Sequence, residues 1–133
     1  MITIPKMIYG QMVDHAKKEY PHEACGILAG AAPGAVSIFF PMKNTDHAAI
    51  SYFMDPKEQL LVFKDMRKKN VEMLGIFHSH VASEAFPSQK DVRLAFYPDV
   101  SYLIVSLSDL TRPVLRSFRI VEEKVTEEEI NLV

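Results

Sequence analysis

The stretch Met73-Leu74-Gly75-Ile76-Phe77-His78-Ser79-His80, followed by Val81-Ala82-Ser83-Glu84-Ala85-Phe86-Pro87 and then Ser88-Gln89-Lys90-Asp91, decides how this chain is read. The apolar run up to His80 predicts a buried strand, residues 81–87 a loop, and Ser88 the start of a short helix reaching about residue 96. Residues two apart on a strand share a face, so His78 and His80 can present both imidazoles to one point where the strand leaves the core. Asp91, one turn into the next helix, can bring a carboxylate to the same point. Two His and one Asp are three N/O donors, a set that suits zinc with a fourth position open for chemistry. An H-x-H pair arises by chance in roughly one such chain in five, and requiring Ser and Asp at fixed later offsets lowers this to about one in a thousand. A structural reading competes for the same residues. Ser88 followed three residues later by an acid is a capping-box pattern, and Asp91 is not expected to serve fully as both cap and ligand.

Working outward, residues 2–4 predict a short strand, and Pro5 suits the first turn of a helix. Ile8, Met12, Val13 and Ala16 recur at helical spacing up to Tyr20, and Pro21 ends that helix. Residues 23–30 predict a buried strand, Ala32-Pro33-Gly34 a turn, residues 36–42 a second strand, and Asn44-Thr45-Asp46 a loop. Residues 51–54 are expected to be a short edge strand. Asp55 is an N-cap candidate with Pro56 at the first helical position and Glu58 at the third. Leu60, Phe63, Met66 and Arg67 form a stripe on that helix, which Lys68, Lys69 and Asn70 are suited to close. Residues 102–107 and 114–121 predict two more strands, the first almost wholly apolar and therefore central. Residues 122–129 are expected to be a polar tail with a helical turn at its end. The expectation is an α/β (α+β) fold, a mixed sheet flanked by helices, in a single domain over residues 1–133.

Composition narrows the function classes. The chain has 133 residues, 48% hydrophobic and 24% charged, which is the balance of one globular domain. A net charge of −2 offers no electrostatic ground for a nucleic-acid partner. No stretch reaches the roughly 18 apolar residues of a membrane span, and Met1 to Lys6 lacks the pattern of a signal peptide, so the expectation is a soluble, cytoplasmic protein. A single cysteine excludes an internal disulfide and any multi-cysteine zinc site. Any zinc here must rest on His and carboxylate ligands.

The H-x-H, seven residues, Ser, two residues, Asp spacing of His78, His80, Ser88 and Asp91 resembles the motif of the JAMM (MPN+, or JAB) metallopeptidases. That motif has an upstream Glu, which Glu23 matches in Pro21-His22-Glu23-Ala24-Cys25-Gly26-Ile27-Leu28-Ala29-Gly30. The resemblance runs over most of the chain and implies a fold like that of the cytidine deaminases. It also implies hydrolysis of peptide or isopeptide bonds beside the C-terminal tail of a ubiquitin-like or sulfur-carrier protein. The H-x-E and P-C-x-x-C ligands of the deaminases themselves are absent. In this resemblance His78, His80 and Asp91 hold one zinc, Glu23 is the general base and Ser88 donates to the oxyanion. Read without it, Glu23 would be a solvated acid at a strand entrance.

Two rival functions are open at this level. A non-catalytic MPN-type binding module would typically lack some of the ligands, and all are present here. A cysteine hydrolase would use Cys25 with His22 or a motif histidine, against the plainer expectation of a small buried thiol. His15 is expected to be solvated beside Lys17 and Lys18, His47 to sit in a polar loop, and Lys64, Arg67, Lys68 and Lys69 to form a solvated helix face. Tyr52 and Phe53 are weighed as part of an edge strand that an extended substrate tail could join, against a plain core role.

Overall fold

A computed structural model describes residues 1–133. Its elements run β1 (Ile2–Ile4), α1 (Lys6–Glu19), β2 (Cys25–Gly30), β3 (Ile38–Met42), α2 (Pro56–Lys68), β4 (Glu72–His80), α3 (Gln89–Arg93), β5 (Ser101–Ser106), β6 (Val114–Val121), β7 (Lys124–Glu128) and β8 (Ile130–Leu132). Six strands form one sheet in the order β3-β2-β4-β5-β6-β7. Only β4 and β5 run parallel, and the other neighbours are antiparallel. This is the mixed sheet with flanking helices that the pattern predicts.

Two apolar layers cover the two faces of this sheet. One packs Ile8, Met12 and Ala16 of α1 against Leu28, Phe77, Leu103 and Val105. The other packs Met66 of α2 against Ile27, Ile76, Ile104 and Phe118. The spacing of α1 therefore does what it predicts, burying Ile8, Met12, Val13 and Ala16 on one side. β5 is buried along its whole length between β4 and β6, as its composition requires. At α2, the Asp55 side chain accepts the Lys57 N–H at 3.1 Å and Pro56 opens the helix. Asn70 adopts a left-handed conformation, φ 52°, just past its end. Glu58 does not complete a capping box. Its Oε1 accepts the Lys43 N–H at 2.8 Å and ties the helix to the chain leaving β3.

The sharpest departure lies at the C-terminal end. Residues 122–129 are not a polar tail. Val121 pairs with Lys124 across a two-residue turn, and β7 forms the outer strand of the sheet. Polar residues are suited to such an edge, and here they also make specific bonds. Arg116 grips Glu127 through Nε and Nη2 at 3.0 and 2.6 Å. Glu128 accepts from Ser101 and from Ser117, the latter at 2.8 Å. β8 then pairs in parallel with β1. Residues 51–54, in turn, form no strand, and only Met54 makes an isolated bridge, to Asn44.

The β6–β7 turn carries Glu122 and Glu123 at φ 50° and 65°, both in the left-handed region that side chains resist. Hairpins of this length favour Asn-Gly at these positions. The double substitution E122N/E123G should stabilise the fold by about 1 kcal/mol, read as a higher denaturant midpoint at unchanged slope.

Candidate metal centre

β4 is the spine of the site. Its antiparallel partner β2 sets Cys25 opposite His78, and its parallel partner β5 sets Ser106 opposite His80. Just before β2, the Ala24 N–H donates to Ser79 Oγ at 2.8 Å and the Ser79 N–H donates to the Ala24 carbonyl at 3.0 Å. Glu23 therefore meets the end of β4 level with His80. On the other side of β2, a Cβ on Gly26 would lie 2.7 Å from the Phe40 carbonyl oxygen, so only glycine allows β2 and β3 to close here.

His78 and His80 emerge from the same face, as period-two geometry demands. Their Nε2 atoms are 3.1 Å apart, and Asp91 Oδ2 lies 3.1 Å from each. Three ligands of a tetrahedral zinc, at about 2.0–2.1 Å from the ion, would lie roughly 3.3 Å from one another. The triangle is close to that size. Both histidines are buried, so their nitrogens converge out of reach of bulk water.

Electrostatics agree with a cation site. Burial pushes His78 below the ordinary histidine value, towards the neutral form that a metal ligand requires. Burial pulls His80 the same way, but the Asp91 carboxylate and the Glu84 carbonyl outweigh it and raise its pKa. Burial alone would raise the Asp91 carboxyl; hydrogen bonds from both histidines overcome it and hold the group well below the usual carboxylate range. His80 Nδ1–H donates to the Glu84 carbonyl at 2.8 Å, so loss of the Nε2 proton that now faces Asp91 would leave Nε2 with the lone pair that ligation uses.

Asp91 and Ser88 resolve the competition between cap and ligand. Ser88 Oγ accepts the Asp91 N–H at 3.1 Å, while the Ser88 N–H donates to Asp91 Oδ2 at 2.9 Å. A complete capping box is present, and its carboxylate oxygen is the one that faces the histidines. One carboxylate oxygen has more than one lone-pair direction, so closing the cap leaves Asp91 Oδ2 able to face the histidines as well. The helix itself is shorter than expected, ending at Arg93.

Glu23 is not a solvated acid. It is 5% exposed, and its Oε1 has no hydrogen-bond partner. Burial pushes its carboxyl from 4.5 up to about 8, with His80 opposing and Asp91 adding to the shift. A carboxyl that holds its proton near neutral pH, beside a cluster of metal donors, can exchange that proton with a reacting group.

The remaining candidates separate clearly. Cys25 is fully buried, its thiol directed at the Met42 carbonyl at 3.8 Å, and burial pushes its pKa up to about 12. A thiol in that state is not a nucleophile. His15 is not solvated. Its Nε2–H is shared between the Cys25 and Met42 carbonyls at 3.1 and 3.2 Å, which pins α1 to the start of β2 and the end of β3. His22 and His47 pack edge to face, 6.0 Å between ring centres. Beside the centre lies a cavity of about 260 Å³, with Tyr52, Met54, Ile76, Asp91, Leu94 and Tyr97 in its walls. Tyr52 stacks on His78 rather than sitting in a strand. Asn44, expected only as a loop residue, is 4% exposed and makes four hydrogen bonds, three within this loop and one to the Glu23 carbonyl. Its only signal was a turn-forming residue type.

A mixed sheet between helices, with a His-x-His strand end facing a helix-borne aspartate, defines a domain of the JAB class. The chain belongs to the family described as prokaryotic homologs of the JAB domain, whose model matches residues 5–121. It is 41% identical to the CysO-cysteine peptidase of Mycobacterium tuberculosis over 134 residues, covering 100% of this chain and 92% of that protein. A desampylase of Pyrococcus furiosus is 34% identical over 84 residues, 63% of this chain and 59% of that protein. Among solved structures, the protein DSY2949 of Desulfitobacterium hafniense superposes with a TM-score of 0.92 at 47% identity. The match covers 100% of this chain and 93% of that one.

Proposed function

We propose that this protein is a zinc-dependent peptidase, acting as one JAB-type domain over residues 1–133. It hydrolyses the peptide or isopeptide bond next to the C-terminal tail of a ubiquitin-like or sulfur-carrier protein. The observation that carries this reading is the 3.1 Å triangle of His78, His80 and Asp91 with the partnerless, buried carboxyl of Glu23 at the same strand ends. The names of the relatives, a CysO-cysteine peptidase and a desampylase, support the substrate class. No helix of the chain is long and apolar enough to cross a membrane.

His78, His80 and Asp91 would hold the ion. When bound, zinc supplies a Lewis acid that polarises the scissile carbonyl and makes water more acidic. Glu23 takes the proton of the attacking water and hands it to the leaving amine. Its buried carboxyl, level with His80 at the same strand ends, is placed to serve both halves of that transfer. Ser88 supplies the oxyanion donor. Its oxygen is engaged by the Asp91 N–H, which leaves its own O–H available to donate. Ser88→Ala should cost kcat about 10²–10³-fold, the usual effect of losing one such donor. The helix start would also lose its cap, at about 1 kcal/mol of stability. Ser88→Thr, which keeps hydroxyl and cap, should retain most of both, and kcat alongside a denaturant curve for each variant checks this.

The deciding experiment is elemental analysis followed by an activity assay. One zinc per chain is expected. A sulfur-carrier protein bearing a C-terminal cysteine, and a lysine-linked ubiquitin-like conjugate, would be offered side by side. A strong chelator should abolish cleavage, and added zinc should restore it. Bound zinc with no turnover on either substrate would make this a binding module. Activity that survives the chelator would end the zinc reading.

A further inference from the structure

The two histidines of the triangle are held in different ways. His80 donates Nδ1–H to a backbone carbonyl, the usual means by which a ligating imidazole is kept in tautomer and orientation. His78 has no such bond. Its Nδ1 is buried and has no partner. What faces the His78 ring instead is Tyr52, stacked at 4.7 Å between ring centres with the planes 22° apart.

Tyr52 lies in the connection from β3 to α2, and that connection is organised around Asn44. The amide nitrogen of Asn44 donates to the carbonyls of Glu23 and Ser51, both at 2.9 Å. Its Oδ1 accepts from the N–H groups of Asp46 and Phe53, both at 3.0 Å. Two backbone bonds close the loop further, Glu23 N–H to the Ala48 carbonyl at 2.8 Å and Thr45 N–H to the Phe53 carbonyl at 2.9 Å. Tyr52 sits between two residues, Ser51 and Phe53, that Asn44 clamps directly. The ring is therefore set by a stapled loop whose same staple holds the backbone of Glu23.

We propose that Tyr52 is the positioning residue of His78: its ring face, fixed by the Asn44-clamped loop, keeps the imidazole in the ligating orientation in place of a hydrogen bond at Nδ1. Stacking suits this task because a flat face resists rotation of the imidazole about its last side-chain torsion. The proposal rests on the zinc reading above.

The test is zinc affinity, measured by competition with a chromophoric chelator on the full chain. Tyr52→Phe keeps the ring and should bind zinc within about 2-fold of the parent, whereas Tyr52→Leu keeps apolar bulk without the flat face and should bind about 10-fold or more weakly. In the zinc-loaded parent, proton NMR should register through-space contacts between the Tyr52 ring and the carbon-bound protons of His78. Leu at this position should remove the upfield ring-current shift of those protons. Zinc affinity unchanged in Tyr52→Leu, with KM alone raised, would overturn the proposal and make Tyr52 only a wall of the adjacent cavity. Equal weakening in Tyr52→Phe would overturn it too, by assigning the effect to the hydroxyl. If Tyr52→Leu does not fold, the spectrum of the parent decides: ring contacts support the proposal, and their absence sinks it. A parent chain that binds no zinc would fail the zinc reading and this one with it, an outcome distinct from zinc bound equally by parent and variant.

Discussion

Glu23→Gln should leave zinc bound at one per chain while kcat falls by about 10²–10⁴-fold, the range expected when a positioned proton-transfer group is lost. The amide has nearly the size and shape of the carboxyl, so the buried site need not repack. What it cannot do is accept a proton from water and pass it on. Because Glu23 Oε1 has no protein partner, the substitution breaks no hydrogen bond at that atom. The effect should fall on kcat, with KM little changed, because the proton moves only in the reaction. Steady-state kinetics with elemental analysis on the same sample checks both halves, and activity retained in the variant would remove Glu23 from the mechanism.

The same substitution has a stability signature in the metal-free protein. An acid whose folded pKa is raised from 4.5 to about 8 favours the folded state fully below pH 4.5 and loses that contribution as pH rises through 8. Burying the ionised carboxylate without a partner is what costs. Gln carries no such penalty. Metal-free Glu23→Gln should therefore be more stable than the parent above pH 8, by about 1–2 kcal/mol, with the difference shrinking towards pH 4.5. Denaturant titrations at pH 5 and pH 9 read this directly. A variant both less active and more stable is the expected mark of a group kept in place for chemistry rather than for folding.

Asp91 gives the second large effect, and two substitutions divide its roles. Asp91→Ala removes the third donor of the triangle, and zinc affinity should fall by more than about 100-fold, taking activity to background. It also empties the capping box, so α3 loses the acceptor for the Ser88 N–H, at about 1 kcal/mol in the metal-free protein. Asp91→Asn keeps a carbonyl oxygen that can accept that N–H but removes the negative charge. Its metal-free stability should fall less than that of Asp91→Ala, because the cap is kept and only the charge facing the histidines is lost, while its zinc affinity falls nearly as far. Denaturation curves without metal and zinc titrations on both variants check the division. If Asp91→Asn bound zinc like the parent, the carboxylate would be a cap alone.

Much of this was legible because it depends on local rules. Two histidines two apart on an apolar strand must share a face, whatever the rest of the chain does. Ser88 and Asp91 must meet if a helix starts between them, since the capping box closes over three residues. Asp55-Pro56 had to open a helix, and a strand as apolar as Ser101–Ser106 had to be central. Where the expectation was wrong, the deciding partner was distant. β7 is polar along most of its length, and only pairing with β6 and the grip of Arg116 on Glu127 make it a strand. His15 looks solvated beside two lysines until β2 and β3 bring two carbonyls to its ring.

The sequence by itself determined the candidate donor set. One cysteine leaves any zinc to imidazole and carboxylate, and spacing points to His78, His80 and Asp91. Only the tertiary structure decided the state of the groups around them. Glu23 is an ordinary acid in the chain and a proton-holding one in the fold, because burial is supplied by strands and loops far away in sequence. Cys25 is a candidate nucleophile in the chain and an inert one in the fold, for the same reason. Tyr52 is an aromatic in a short segment until Asn44 folds the loop over His78. Spacing is written in covalent geometry and survives in any context. Desolvation and ring stacking exist only once the chain has closed on itself.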